Sequence, residues 1–285
     1  MPKTYNDLYL ATRTALKNAG VEAYALEARL LVAYAVGKTK EEFVRDLRLY
    51  TSDENEQKIA ALLQRRIAGE PLAYLIGEWE FHGLPIVVTP DVLIPRMDTE
   101  LLVTTAKELL LGRKMDARIL DLCCGSGCIA CALGHELPAT KLVAVDISAN
   151  ALEIARENFA SNRLGSRAIC IQADATSSPP MSIGQFDMIV SNPPYIASAE
   201  IMTLDSSVRD YEPIWALDGG EDGYRFYKAI IKYWKSLLRP GGFLLFEVGE
   251  GQAATVKDML SSAGFRAVGS RLDTLNIERV VIGKM

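Results

Sequence analysis

Residues 186–195 have the sequence FDMIVSNPPY, an apolar run that ends in a polar, proline-rich turn. The length and branched side chains of the run are typical of a buried strand. The turn is therefore expected at a strand's carboxyl end, the edge at which open α/β sheets bind ligands. Asn192 offers an amide carbonyl and an NH2, whereas Pro193 and Pro194 have no N–H and a locked φ angle. The turn predicts fixed acceptors suited to holding an NH2 group, although it also fits an ordinary turn that follows a strand.

Strand and helix patterns alternate from residue 117 to the end of the chain. The alternation predicts an α/β fold with a largely parallel, doubly wound sheet. The candidate strands are 118–122, 141–145, 168–171, 186–190, 242–248 and 278–282. The candidate helices are 127–135, 149–161, 223–238 and 251–263.

The sequence before this α/β region predicts two further parts. Residues 1–73 have amphipathic segments separated by glycines, which indicates a small helical bundle, with capping boxes expected at Thr39 and at Asp53. Residues 74–91 are expected to form a hairpin linker whose turn is 82–85, and 92–285 the α/β domain. Asp98 or Thr99 is expected to cap the first helix of that domain.

Composition limits the classes of partner. The 285 residues carry a net charge of −5, so no basic surface for nucleic acid or membrane is expected. No apolar run reaches the ~18 residues of a membrane span, and no signal peptide is evident, which indicates a cytoplasmic protein, expected as a monomer. The five cysteines do not resemble a disulfide framework.

A glycine-rich turn links the first candidate strand to a helix. Residues 121–127 have the sequence DLCCGSG, in which absent side chains let a nucleotide-like ligand approach the backbone. The same residues fit a dinucleotide-binding pattern, and an acid at Asp146 would serve the ribose of NAD or of S-adenosylmethionine equally. Asp121, placed to attract an ammonium group, favours S-adenosylmethionine. The predicted cofactor contacts are Asp121, Cys123, Cys124, Gly125, Ser126, Gly127, Asp146, Asp174, Ala175 and Asn192.

Two features of the sequence also fit simpler interpretations. Asp174 is placed to accept from an adenine amino group, but a solvated loop acid fits equally well. Cys124, Cys128, Cys131 and His135 follow one helix, where four ligands cannot converge tetrahedrally, so no metal site is expected. Residues 196–223 form a long irregular stretch, which is interpreted as a substrate-contacting lid.

These motifs together resemble the PrmC/HemK family of protein-(glutamine-N5) methyltransferases, which modify the Gly-Gly-Gln motif of class I peptide-chain release factors. The resemblance covers nearly the whole chain. It rests on an N-terminal helical region and on the segments 69–74, 93–100, 121–127, 192–196, 212–213, 216–220 and 277–281. Two positions depart from the family pattern: Cys123 stands where glycine is usual, and Met97 where proline is usual.

The resemblance implies a class I S-adenosylmethionine-dependent methyltransferase fold and roles for the proline-rich turn. The Asn192 side-chain oxygen and the Pro193 carbonyl would accept the two N–H bonds of the substrate amide, Pro194 would fix the turn, and Tyr195 would pack on the amide plane. All four residues are therefore expected to be catalytic and to bind substrate. Two alternatives stay open: an adenine-N6 methyltransferase of DNA or RNA, which shares the tetrad, and a non-catalytic nucleotide-binding domain.

Overall fold

The computed structural model describes residues 3–111 and 116–285. The chain forms two compact units. One contains the residues up to Gly77 together with Ser206–Tyr211, and the other contains Glu78–Asp205 and Glu212–Met285. Among the described residues, no helix is long and apolar enough to cross a membrane.

The first unit is helical, as predicted. Its helices are α1 (Tyr5–Asn18), α2 (Tyr24–Ala35), α3 (Lys40–Arg45), α4 (Asp53–Ile67) and α5 (Leu72–Ile76). Their apolar faces bury a core that includes Leu16, Leu31 and Phe43. The short helix Ser206–Arg209 also belongs to this unit, and the Tyr211 hydroxyl donates to the Ala68 carbonyl at 3.1 Å.

The helix caps agree with the sequence at one position and differ at another. Thr39 and Glu42 form the predicted capping box. The cap of α4 is Ser52 rather than the predicted Asp53, because the Ser52 hydroxyl accepts from the Asn55 N–H and Asp53 is the first helical residue. An acid in that first turn still favours the helix through the macrodipole.

The second unit begins with a hairpin and continues with alternating strands and helices. Its strands are β1 (Glu78–Phe81), β2 (Leu84–Val87), β3 (Arg118–Leu122), β4 (Lys141–Asp146), β5 (Ala168–Gln172), β6 (Phe186–Ser191), β7 (Leu238–Glu247), β8 (Arg266–Leu272) and β9 (Glu278–Lys284). Its helices are α6 (Thr99–Leu110), α7 (Cys128–Glu136), α8 (Ala149–Ser161), α9 (Arg225–Tyr233) and α10 (Ala253–Ser262).

Seven strands form one sheet in the order β5-β4-β3-β6-β7-β9-β8. The pairs from β5 to β7 are parallel, and β9 is antiparallel to both β7 and β8. The strand order reverses between β3 and β6, because the chain passes from β3 outward to β5 before it returns to β6. Ligands bind at such a reversal in open α/β sheets, which places the site at the carboxyl ends of β3 and β6.

Three local predictions were wrong. The hairpin turn is only His82 and Gly83, both at positive φ, so its strands are closer together in sequence than predicted. Helix α9 ends at Tyr233, not at 238, because Leu238 already pairs with Phe186 in the sheet. Strand β8 was missed because it is an edge strand: its burial is incomplete and its pairing is interrupted by a register shift, so the sequence lacks a clear apolar alternation.

Candidate active site

Four strand ends lie next to one another at one edge of the sheet. The register pairs Leu122 with Val145 on one side and with Ser191 on the other, and Ser191 with Phe246. The residues that follow these pairs along each strand are therefore neighbours in space. This register brings the glycine loop, Asp146 and the proline-rich turn together at one edge, and Glu247 follows at the end of β7.

The glycine loop is held by backbone contacts at both ends. The Cys124 N–H donates to the Val145 carbonyl at 3.1 Å, and the Gly127 N–H donates to the Cys124 carbonyl at 2.8 Å. The backbone at Cys123 has φ +60°, the left-handed conformation that a side chain disfavours. Glycine, the usual residue of the resembled family at position 123, would therefore relieve strain there.

Asp121 is fully buried beneath the loop. One carboxyl oxygen accepts from the Ala130 N–H at 3.2 Å, and the other, Oδ1, has no hydrogen-bond partner among the residues that the structure describes. Burial raises the pKa of Asp121 to about 8, against the hydrogen bond from Ala130, and nearby Asp146 raises it further. Its predicted contact with a cofactor ammonium group stays a prediction.

A cavity of about 380 Å³ opens beside the loop. Pockets of this size hold small-molecule ligands in proteins. Nine of the residues predicted for the site line it: Cys123, Cys124, Gly125, Ser126, Asp146, Asp174, Ala175, Asn192 and Pro194. Asp121, Gly127, Pro193 and Tyr195 are not among the lining residues.

The lining residues fit a nucleoside-type cofactor. A Cβ added at Gly125 would meet no atom within 4 Å, so the loop backbone faces open space there. Carboxylates stand at the ends of the neighbouring strands, and apolar side chains such as Phe226 and Ile147 supply flat and branched surface. This combination of acceptors, apolar walls and exposed loop backbone suits the ribose, adenine and amino-acid parts of S-adenosylmethionine.

Asp146 and Asp174 have different surroundings. Asp146 accepts from the N–H groups of Gly125 and Ser148, both at 2.9 Å. Burial nevertheless raises the pKa of Asp146, and these backbone donors only oppose the rise. Asp174 accepts from Thr176 and Ser177, and although burial is the largest influence and acts upward, those hydrogen bonds together lower its pKa. Its predicted contact with adenine is untested.

The proline-rich turn is anchored to strand β3, to helix α6 and to the residue that precedes α10. The Ser191 hydroxyl donates to the Leu122 carbonyl at 2.7 Å, and the Asn192 Nδ2 donates to the Thr99 hydroxyl at 3.2 Å. The Tyr195 carbonyl accepts from the Gln252 Nε2 at 2.9 Å. These contacts fix the turn from its first residue to its last.

The glycines at 219 and 223 allow the chain to close around Tyr195. A Cβ at Gly219 would lie 2.8 Å from the Tyr195 backbone, and one at Gly223 would lie 2.5 Å from the Tyr195 carbonyl oxygen. Neither position can take a side chain without displacing the turn. Burial raises the pKa of the Tyr195 hydroxyl to about 12, with Glu247 adding to the effect, so this phenol stays protonated.

Three site residues were not identified from the sequence. The sequence predicts Thr99 only as a helix cap, yet it lines the cavity and accepts a hydrogen bond from Asn192. Glu212 is buried, accepts from the Ile94 N–H at 3.1 Å and pairs with Arg96. It therefore connects residues 94–96 to the stretch 196–223. Glu247 is a buried acid in an otherwise apolar strand, and that interruption of the apolar run is the signal that was available.

Fold and cavity together define a class I S-adenosylmethionine-dependent methyltransferase. Residues 96–206 match the methyltransferase small domain family, and residues 7–77 match the PrmC N-terminal domain family. Release factor glutamine methyltransferase of Geobacter sulfurreducens is 41% identical over 96% of this chain and 94% of that protein. The namesake of Bradyrhizobium diazoefficiens is 41% identical over 92% of this chain and 89% of its own length. The chain belongs to the release factor glutamine methyltransferase family.

Solved structures agree with the fold. The hMettl16 catalytic domain, in complex with a MAT2A 3'UTR hairpin, superposes with a TM-score of 0.58 at 20% identity over 78% of this chain and 81% of that chain. A methyltransferase from Pyrococcus furiosus gives 0.51 at 16% identity over 79% of this chain and 96% of that chain. The fold class, the family resemblance, the enzyme class and the cofactor predicted from the sequence are therefore confirmed.

Proposed function

We propose that this enzyme transfers the methyl group of S-adenosylmethionine to the side-chain amide nitrogen of the glutamine in the Gly-Gly-Gln motif of class I release factors. The observation that supports this most directly is the orientation of Asn192. Its NH2 is engaged by Thr99, so its carbonyl oxygen is left to accept from a substrate. Asn192 also lines the cavity proposed for the cofactor, which puts the acceptor beside the methyl donor.

The reaction requires orientation more than a strong base. An amide nitrogen is a weak nucleophile, because its lone pair is delocalised into the carbonyl. Two acceptors, the Asn192 side-chain oxygen and the Pro193 backbone carbonyl, would hold both N–H groups and turn the nitrogen's remaining lone pair toward the methyl group. The partly buried ring of Tyr195 would pack on the amide plane. These carbonyl dipoles also stabilise positive charge that develops on the nitrogen.

The cofactor supplies an electrophilic methyl group on a sulfonium. In the proposed reaction a new N–C bond would form as the donor's C–S bond breaks, the sulfur would keep the bonding electron pair, and the amide nitrogen would then lose a proton to water. No covalent enzyme intermediate is needed.

The acidic composition disfavours adenine-N6 methylation of DNA or RNA. The net charge of −5 gives little to neutralise phosphates, which dominate the affinity of most nucleic-acid binders. The likeness to hMettl16 concerns the fold alone. We propose that the chain acts on protein as a cytoplasmic monomer, without direct contact to nucleic acid or membrane.

The helical unit is assigned a separate task. The side chains of its described residues contain no constellation suited to chemistry. The helical region predicted at 1–73 is therefore proposed to dock the release factor, with 74–91 as the linker and 92–285 as the catalytic domain. Exposed apolar side chains of this unit, among them Leu49 and Tyr50, provide surface suited to a protein partner. Residues 196–223 are proposed to contact the substrate as a lid.

The decisive experiment offers labelled S-adenosylmethionine together with three separate acceptors: an intact class I release factor, the same factor with the Gly-Gly-Gln glutamine replaced by alanine, and duplex DNA. Mass mapping should place a single methyl group on that glutamine and none on the other two acceptors. Methylation of DNA, or equal labelling of the alanine variant, would refute the proposal.

A shortened chain tests the docking assignment. A chain that begins at Glu78, the start of the second compact unit, should bind cofactor but methylate the intact release factor poorly. A short Gly-Gly-Gln peptide is the matched acceptor, because it lacks the surface that the helical unit would contact. Equal rates of full-length and shortened enzyme on the intact factor would reject the assignment.

A further inference from the structure

Glu247 is a buried acid whose place in the site the proposed reaction does not explain. Glu247 is the last residue of β7 and is only 2% exposed. The register that pairs Ser191 with Phe246 makes Glu247 the neighbour of Asn192 on the adjoining strand. Its Oε2 has no hydrogen-bond partner within the described part of the chain. A buried carboxyl so incompletely satisfied opposes folding, which suggests that it serves the site.

Thr99 connects Glu247 to Asn192. The Thr99 hydroxyl, also 2% exposed, accepts from the Asn192 Nδ2 at 3.2 Å. Hydrogen bonding from the Thr99 side chain, and more weakly from Asn192, favours the ionised form of the Glu247 carboxyl. The three side chains are therefore linked by hydrogen bonds: Thr99 and, more weakly, Asn192 bond to the acid, and Asn192 donates to Thr99.

The chemistry of the three groups fixes which of them donates and which accepts in these hydrogen bonds. An ionised carboxylate can only accept, so the single proton of the Thr99 hydroxyl is committed to Glu247. The Thr99 oxygen can then only accept from Asn192, and only the NH2 end of that amide can donate. The Asn192 carbonyl oxygen must therefore point away from Thr99.

We propose that Glu247 is a positioning residue that acts through Thr99 to hold the Asn192 amide with its oxygen toward the substrate. The inference rests on the proposed function, since it explains how the acceptor for the glutamine amide is oriented. Glu247 itself touches neither the substrate nor the reacting atoms.

The charge of Glu247 makes this orientation depend on pH. Burial raises the pKa of Glu247 to about 7, against hydrogen bonding from Thr99, and Asp98 raises it further while Arg279 lowers it. The charge of Glu247 also acts on three other titratable side chains, those of Tyr195, Tyr227 and Cys128. The pKa of each is raised, chiefly by burial. Two buried acids of the site therefore titrate close to neutral pH, Glu247 and, at the end of β3, Asp121 with a pKa raised to about 8. Of these two, only Glu247 is hydrogen-bonded to Thr99 and Asn192.

Protonation reverses the hydrogen-bond chain. A protonated Glu247 can donate to Thr99, whose hydroxyl can then donate to the Asn192 oxygen and turn it away from the substrate. The rate of methyl transfer should rise as the pH increases through about 7, the pKa of this carboxyl. Cofactor affinity should not follow the same curve.

The test compares Glu247→Gln with the pair Thr99→Val and Thr99→Ser. At residue 247, glutamine does not titrate, and only one of its two terminal atoms can accept a hydrogen bond. At residue 99, valine removes the hydroxyl at similar volume, and serine restores it. We expect single-turnover rates on the release factor to fall about tenfold or more in Glu247→Gln and Thr99→Val, the loss expected for one charged hydrogen bond, and to recover in Thr99→Ser. In Glu247→Gln, whose residue does not line the cavity, the cofactor Kd should stay within about threefold, a change of less than one hydrogen bond.

The pH profile distinguishes positioning from packing. The rising limb near neutral pH should be absent in Glu247→Gln and present in the control Glu250→Gln, whose side chain is exposed three residues further along. Wild-type rates and an unchanged limb in Glu247→Gln would overturn the inference. If that variant does not fold, equal rates for Thr99→Val and Thr99→Ser would overturn it. Absence of release-factor methylation by the wild-type enzyme would instead overturn the proposed function and this inference with it.

Discussion

The Asp146 carboxylate accepts a hydrogen bond from the Gly125 N–H at 2.9 Å, so the end of β4 fixes the loop that follows the neighbouring strand β3. Asp146 also lines the cavity, and we propose that it has a second task there as an acceptor for the cofactor. One carboxylate can do both, because each of its oxygens has more than one lone pair.

Replacement of Asp146 should separate these two tasks. Asp146→Ala is expected to weaken S-adenosylmethionine binding by about 1.5–3 kcal/mol, the range for lost hydrogen bonds to a charged group. Asp146→Asn keeps one acceptor for the Gly125 N–H and should lose less. Calorimetric titration measures both affinities, and the thermal midpoint of each variant checks that the loop is still folded. Unchanged affinity in Asp146→Ala would mean that the ribose is bound elsewhere.

Asn192 is the acceptor on which the proposed reaction depends. Asn192→Ala should lower the single-turnover rate far more than it lowers stability, because the lost contact acts on geometry near the transition state. Asn192→Asp should give a rate between those of alanine and wild type: it retains an acceptor but cannot donate to Thr99, and it adds a charge beside Glu247. Near wild-type methylation by Asn192→Ala would show that the turn has no catalytic role.

Tyr195 is expected to act through its ring. The ring lies against Gly249, where an added Cβ would approach it to 3.1 Å, and its hydroxyl stays protonated throughout the working pH range. Tyr195→Phe should therefore keep the rate within about twofold, whereas Tyr195→Ala, which removes a packed aromatic surface, should lower it strongly. Rates at saturating cofactor measure the effect. A large loss in Tyr195→Phe would instead assign a role to the hydroxyl.

The strands that carry the site were predictable from sequence because each is an apolar run that ends in a polar or glycine-containing turn. Strand β6 and the turn after it are the clearest case, since burial on both faces requires continuous apolar residues. Strand β8 has no such signature. It is an edge strand in which Ala267 adopts φ +47° and the register shifts, so neither apolar alternation nor β propensity marks it.

The contacts that orient Asn192 could not be predicted from sequence. Thr99 and Glu247 are far apart in the chain and meet only because α6 begins beside the carboxyl end of β7. A threonine at the start of a helix is typical of a cap, and that local interpretation hides a tertiary hydrogen bond. The departure at Cys123, by contrast, was visible in the sequence, but only the structure shows that its backbone takes positive φ.

Two substitutions at Cys123 isolate its backbone strain. Cys123→Ala removes the thiol and keeps the Cβ, whereas Cys123→Gly removes both. Since a side chain disfavours this φ of +60°, the glycine variant should be the more stable of the two by about 1 kcal/mol, less the entropy that glycine loses on folding. Denaturant unfolding measures the difference. A glycine variant less stable than the alanine variant would show that the loop gains more from a side chain here than it loses to strain.

The buried carboxyl of Asp121 should make stability depend on pH. Burial raises its folded-state pKa from 3.8 to about 8, so its contribution to stability is fully present below pH 4 and is lost as the pH rises through about 8. Asp121→Asn keeps an acceptor for the Ala130 N–H and does not titrate. Urea unfolding of wild type and variant at about pH 5 and about pH 9 should therefore show the variant gaining in relative stability at the higher pH. The raised pKa of Glu247 acts in the same direction but is common to both proteins and cancels in the difference. A difference that does not change with pH would mean that Asp121 is ionised in the folded enzyme, with a donor supplied to its Oδ1.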